Sequence, residues 1–174
     1  MLNLLSIISI VFLSSVTQAP TKEETVDFLI GKFSCEYERD EQRNEMRLEF
    51  NYIRSEFYLF TKSYSKKSKD VYYYKVVIPI KMINPNNIEI IEIGDMGWIE
   101  IYTNNDSQII KTYVWKNLNY NLQNDENAHS SFTSSKLAIN VPKERQSSNP
   151  NLLPRLKKAI INLIDMTGGK GEKY

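Results

Sequence analysis

A single histidine and a single cysteine narrow what this chain can catalyse. His129 is the only histidine and Cys35 the only cysteine in 174 residues, so a multi-histidine metal site and an intrachain disulfide are both excluded. A serine hydrolase would need His129 as its base. That residue sits in the polar run Asn127-Ala128-His129-Ser130-Ser131, and no Gly-x-Ser-x-Gly elbow occurs in the chain. Cys35 lies between Phe33 and Tyr37 in an alternating stretch, which suits a small buried hydrophobe better than a reactive thiol; nothing local marks a Cys35–His129 dyad. Asp95 with Glu92 or Glu100 offers carboxylates for glycosidase-type chemistry, against solvated strand edges as the plainer reading. Gly168-Gly169-Lys170-Gly171 has the composition of a phosphate loop but follows a helix instead of preceding one, so it reads as a helix end and tail. One charged cluster stands out: Lys62, Lys66, Lys67 and Lys69, interleaved with Tyr64. It could meet an anionic lipid headgroup, a polysaccharide or an acidic protein, or simply keep a hairpin tip solvated. No metal and no cofactor is expected.

The elements that must position these residues belong to one domain. A chain of 174 residues and 20.3 kDa can bury a real core but not two. Hydrophobic residues make up 41% and charged residues 25%, a globular balance. The net charge of +1 argues against a dedicated nucleic-acid binder. Residues 1–19 differ in kind. Leu4 to Val16 is an apolar run broken only by serines, and no Lys or Arg precedes Lys22. Such a run is too short to cross a bilayer but fits a signal-peptide core, with Thr17-Gln18-Ala19 as the small-residue end. The competing reading is a buried N-terminal helix. Residues 1–19 are therefore expected to be a signal peptide, and 20–174 an exported domain, periplasmic or secreted. That domain is expected to be monomeric and without a transmembrane segment after cleavage.

Thr21-Lys22-Glu23-Glu24 is a capping box, and Val26, Leu29, Ile30 and Phe33 form one helical stripe behind it, predicting a helix over 22–32. The period then shifts toward two. Met46, Leu48, Phe50 and Tyr52 alternate with Arg47, Glu49 and Asn51; Phe57–Thr61 continues as a strand, and Lys62–Asp70 reads as a hairpin turn. Tyr72, Tyr74, Val76, Ile78 and Ile80 share a face, with Pro79 marking an edge or strand end. Asn84-Pro85-Asn86-Asn87 and Gly94-Asp95-Met96-Gly97 read as turns around the strand 88–93. Trp98–Thr103 and Gln108–Trp115 flank a tight reversal at Asn104-Asn105-Asp106. After a polar loop over 117–129, residues 132–141 read as the last strand. Leu152, Leu156, Ala159, Ile160, Leu163 and Ile164 then line one face of a helix over 152–167, with Asn151 as its cap, Pro154 in its first turn, and Gly168-Gly169 ending it.

Strands closing into a small barrel, followed by one long amphipathic helix, resemble pleckstrin-homology-like domains, including GRAM-type relatives. The local echo is Val77-Ile78-Pro79-Ile80-Lys81-Met82-Ile83, then Ile88-Glu89-Ile90, then Gly97-Trp98-Ile99-Glu100-Ile101-Tyr102-Thr103. The capped first helix and Arg155-Leu156-Lys157-Lys158-Ala159 are similar to those of small exported bacterial proteins. The resemblance implies a mainly β fold: a seven- or eight-stranded antiparallel barrel closed by the C-terminal helix. Members that bind phosphoinositides carry basic residues in the first hairpin loop. Here Glu38-Arg39-Asp40-Glu41-Gln42-Arg43-Asn44-Glu45 mixes two arginines with four acids, and the tryptophan many members carry in the last helix is missing. The functional expectation is a non-enzymatic exported binding module for a protein, peptide or lipid partner. The alternatives are a cell-envelope hydrolase using carboxylates and a structural envelope subunit.

Overall fold

The structure of the protein, a computed structural model, describes residues 19–39, 41–93, 96–117 and 125–169. The expected signal segment up to residue 18, Asp95, and the tail from Lys170 onward lie outside the described residues.

Helix α1 (Lys22–Phe33) starts at the capping box: the Glu24 amide donates to Thr21 Oγ1 (3.2 Å), and the Thr21 amide donates to Glu24 Oε2 (2.8 Å). These two bonds use backbone donors that a helix start otherwise leaves free. Four strands follow as a meander: β1 (Cys35–Arg39), β2 (Gln42–Asn51), β3 (Glu56–Ser65) and β4 (Val71–Pro79). A short 3-10 turn, Ile80–Met82, leads into the hairpin β5 (Ile83–Ile93) and β6 (Met96–Thr103). Then come β7 (Ile110–Lys116), β8 (Ser130–Ser134), β9 (Lys136–Pro142), the short α2 (Lys143–Ser147) and α3 (Leu152–Met166).

All strand pairs are antiparallel and form two sheets, ordered β1-β2-β3-β4-β7-β8 and β5-β6-β9. The chain leaves the large sheet after β4, builds a hairpin of the small one, returns for β7 and β8, and leaves again for β9. The expected mainly β architecture with a helix at each end is what forms. Among the described residues the strands number nine, and their ladders do not close into a barrel. The extra strand arises because residues 130–142, one alternating run in sequence, divide at Ser135 between two sheets. The Asn84–Asn87 turn is absorbed into β5 as an irregularity, where the register with β6 shifts between Ile83 and Ile88. β3 runs on to Ser65, so the lysine turn is shorter than expected. Pro79 ends β4, beyond the last residue paired to β7, where its missing N–H breaks no ladder bond.

The core lies between the inner faces of the sheets and beneath the helices. Leu29 and Phe33 of α1 and Leu156, Leu163 and Ile164 of α3 are buried with Leu48, Phe57, Ile78, Ile88 and Ile99. Helix α3 packs on α1, β5 and β6. Its end is a Schellman cap: the Gly169 amide donates to Ile164 O (3.0 Å) and the Gly168 amide to Asp165 O (3.2 Å), with Gly168 at φ 78°. Asn151 makes no side-chain cap bond, against the expectation, and the Leu152 amide instead donates to Asn149 O (2.9 Å).

Candidate ligand-binding cleft

The inner face of the large sheet is graded along its strands. Register places Phe50, Phe57 and Ile78 in one row, then Leu48, Leu59, Val76, Thr112 and Phe132, then Met46, Thr61, Tyr74 and Val114, then Asn44, Ser63 and Tyr72. Successive rows are two residues, about 7 Å, apart. The first is wholly apolar; hydroxyls and an amide replace methyl groups toward the last.

A cleft of about 300 Å³ opens between this face and β9, the edge strand of the small sheet. Met46, Leu59, Val76 and Ile110 form the floor; Leu137 and Ile139 form the facing wall; Thr61, Tyr74 and Thr112 carry hydroxyls into it; Phe132 stands at the lip. Phe132 is 56% exposed, large for an aromatic side chain on an inward-facing row. The Asn140 amide donates to Tyr37 Oη (3.2 Å), joining β9 to β1 across the gap between the sheets. The hydroxyls of Thr61, Tyr74 and Thr112 have no hydrogen-bond partner among the described residues. Burial raises the Tyr74 phenol above its ordinary range, with the neighbouring Tyr72 adding to the shift. The one charged residue of the lining is Lys136, at the rim. Its Nζ lies 2.7 Å from Glu100 Oε2, on the outward face of the small sheet.

A second, wider depression of about 600 Å³ lies across β1, β2 and β3, reaching the outward face of the large sheet at Glu45, Arg47, Phe60, Lys62 and Tyr73. Charges along this face pair across strands, Arg43 with Glu36 (2.7 Å) and Lys62 with Glu45 (3.6 Å), and within β2, Arg47 with Glu49 (3.1 Å). A surface whose charges already satisfy one another has little left for a ligand. The inter-sheet cleft is the better-built site.

The lysine cluster lies along the end of β3 and in the turn that follows. Lys62 and Tyr64 point outward from β3; Lys66, Lys67 and Lys69 are exposed in the turn before β4. Lys62 faces Glu45, and Lys66 Nζ lies 2.6 Å from Glu38 Oε2. Cys35 is buried against Met46 at the large sheet's β1 edge, and burial raises its thiol, with Arg145 opposing the shift. His129 is exposed beside β8, with four strands between it and β1, so the sheet order does not bring a Cys35–His129 dyad together. Glu92 lies opposite Gly97, on the other face of the small sheet from Glu100, which lies opposite Glu89. The expected carboxylate pairs each include Asp95, which lies outside the described residues, and the pleat sets Glu92 and Glu100 on opposite faces. Among the described residues, no group of three or more His, Cys, Asp or Glu could hold a metal ion, and no helix is long and apolar enough to cross a membrane.

Sequence reasoning missed the cleft residues Thr61, Tyr74, Thr112 and Asn140. The signal was present only in part: a Tyr and a Thr sit at core-facing positions of strands where Val or Ile would be usual, but their convergence depends on register across β3, β4 and β7.

No protein-family model, no curated protein and no solved structure matches the chain.

Proposed function

We propose that the chain is a non-enzymatic binding module that takes its ligand in the cleft between the two sheets. The observation that supports this is the composition of the lining. Four apolar side chains of the large sheet face two of the small one, and three hydroxyls without protein partners are placed where a ligand could meet them. A pocket of this kind, apolar with a few fixed polar groups, is the usual form of a small-molecule site. Exchange of strands between the sheets places both walls on one chain without a hinge. The action of the module outside the cytoplasm belongs to the same proposal and is supported by the apolar run Leu4–Val16 with its small-residue end. So does the likeness to pleckstrin-homology-like barrels. Its support is the order of strands followed by a long helix, and the Tyr37–Asn140 bond that ties β1 to β9 across the open side.

The test uses N-phenyl-1-naphthylamine, a neutral apolar fluorophore, with residues 20–174. Saturable fluorescence enhancement is expected for the wild type and for Lys111→Phe, which places its ring on the outward face. Thr112→Phe fills the cleft and should abolish it. Equal enhancement by the two variants, both folded by circular dichroism, would remove the cleft as the site.

A further inference from the structure

Resting on the cleft as the ligand site, we infer that its ligand is an uncharged single-chain amphiphile, an aliphatic chain ending in a hydroxyl or amide, and not a fatty-acid anion or an alkyl cation. Three observations carry this. The first is the grading of the inner face, in which the row of Leu59, Val76 and Thr112 passes into Thr61 and Tyr74 along the strand direction. A molecule lying along the strands has its chain on Leu59 and Val76 and its polar end among the hydroxyls. The second is charge. The cleft carries no acidic side chain, and its one cation, Lys136, is held 2.7 Å from the Glu100 carboxylate and over the Tyr102 ring, 5.2 Å from its centroid. An anionic headgroup would have to compete with Glu100 for Lys136, costing Glu100 that ion pair and leaving it the bonds from Tyr102 and Trp98. A cationic headgroup would enter a cleft with no anion to receive it. The third is the hydroxyl chemistry. Each of these groups both donates and accepts, so together they match an alcohol or an amide. Size limits the chain: about 300 Å³ holds roughly ten methylene-sized groups at about 30 Å³ apiece, the volume share of a water molecule, whereas the hydrogen-poor aromatic carbons of the probe take less volume each.

The experiment displaces bound N-phenyl-1-naphthylamine from residues 20–174 at pH 8 with four ligands of matched chain: 1-nonanol, nonanamide, nonanoate and nonyltrimethylammonium. The alcohol and amide should displace the probe at concentrations at least tenfold below those of the two ions. Tyr74→Phe combined with Thr61→Val should shrink that preference to under threefold, read as a ratio of displacing concentrations on the same variant so that any change in probe affinity cancels, because both changes nearly keep shape and remove the hydroxyls. Nonanoate displacing as well as nonanol would overturn the proposal, as would a preference that survives loss of both hydroxyls. If the probe binds and Thr112→Phe abolishes binding, yet none of the four ligands displaces it, the ligand class is wrong and the cleft reading stands. If the probe does not bind the wild type, the cleft reading itself fails.

Discussion

Arg145, in the five-residue helix α2, supplies what the end of α1 lacks. Its guanidinium donates to the carbonyls of Gly31 (3.2 Å), Lys32 (2.8 Å) and Ser34 (2.8 Å). Those carbonyls lie at the end of a helix, where backbone acceptors have no partner within the helix and a cation meets the negative pole of the dipole. Arg145→Ala should lower unfolding free energy by about 2 kcal/mol, within the usual range for hydrogen bonds to a charged group. Arg145→Lys should recover less than half, since a single ammonium cannot span three acceptors. Urea unfolding of the two variants checks this; equal stability of wild type and Arg145→Ala would show the contacts to be incidental. Glu100 gives a second prediction, on pH. Hydrogen bonding from Lys136 lowers its carboxyl below the usual range, burial opposes this, and the Tyr102 and Trp98 side chains lower it further. Its distances are 2.7 Å to Lys136 Nζ, 2.8 Å to Tyr102 Oη and 3.4 Å to Trp98 Nε1. A carboxyl held low in the folded state binds fewer protons there than when unfolded. Its stabilisation is thus present above the unfolded glutamate value, about 4.3, and is lost as pH falls through the lower folded value. Glu100→Gln should flatten the acid limb of the urea-midpoint profile between pH 5 and about 2. A limb as steep as that of the wild type would place the acid sensitivity elsewhere. Little of this was legible in sequence. The capping box lies within four residues and could be read directly, whereas Arg145 reaches acceptors 111 and 114 residues away, a distance no local pattern encodes.

Among the elements, α3 was the most legible, because its stripe of large aliphatic residues repeats at the helical period without interruption. Leu156 and Leu163 are fully buried at 0% exposure, whereas Lys158 on the opposite face is exposed. Leu156→Ala and Leu163→Ala should each cost about 2–5 kcal/mol, the range for truncating a packed leucine, and Lys158→Ala close to nothing. Thermal melts of the three variants decide it; similar melting of all three would mean that α3 is not part of the core. The start of the same helix is where sequence misled. An Asn before a Pro-containing first turn is a strong capping signal, but Asn151 has φ −98° and ψ 16°, outside the extended conformation from which a cap side chain reaches back to the helix. The strands show the same asymmetry. Alternation gave faces correctly along β2 and β4. It could not reveal the division between β8 and β9, because the side chains of Phe132, Ser134, Leu137 and Ile139 keep a plausible alternation on both sides of Ser135 while the backbone changes partner.

At the scale of the whole molecule, sheet order decides what can meet, and it sets acids beside two of the four lysines that sequence singled out. Lysines at 62, 66, 67 and 69 look like a cationic patch when only the chain order is known. The β1–β2 hairpin lies beside the β3–β4 turn, and the Lys66 amide donates to Glu41 O (2.8 Å). That neighbour brings Glu45 to within 3.6 Å of Lys62 and Glu38 to within 2.6 Å of Lys66. Across the next strand pair, Asp70 at the turn's end meets Lys116 at 3.2 Å, so the turn carries its own counter-charges. Lys66 draws the Glu38 carboxyl below its usual range through their hydrogen bond and charge, which keeps that acid ionised at any pH where an anionic surface would be tested. Exposed pairs of this kind contribute little to stability, but they weaken the field that would draw the molecule to a surface, since beyond about 8–10 Å at physiological ionic strength a paired charge is screened as well as cancelled. Co-sedimentation with anionic vesicles across a salt series should therefore give equal recovery for the wild type and for a variant with all four lysines changed to Gln. Each lysine engaged at an anionic bilayer would be worth roughly 1 kcal/mol. Recovery of the wild type several-fold above the variant at low salt, falling to equality as salt rises, would instead establish the turn as a membrane contact and move the search for function from the cleft to that surface.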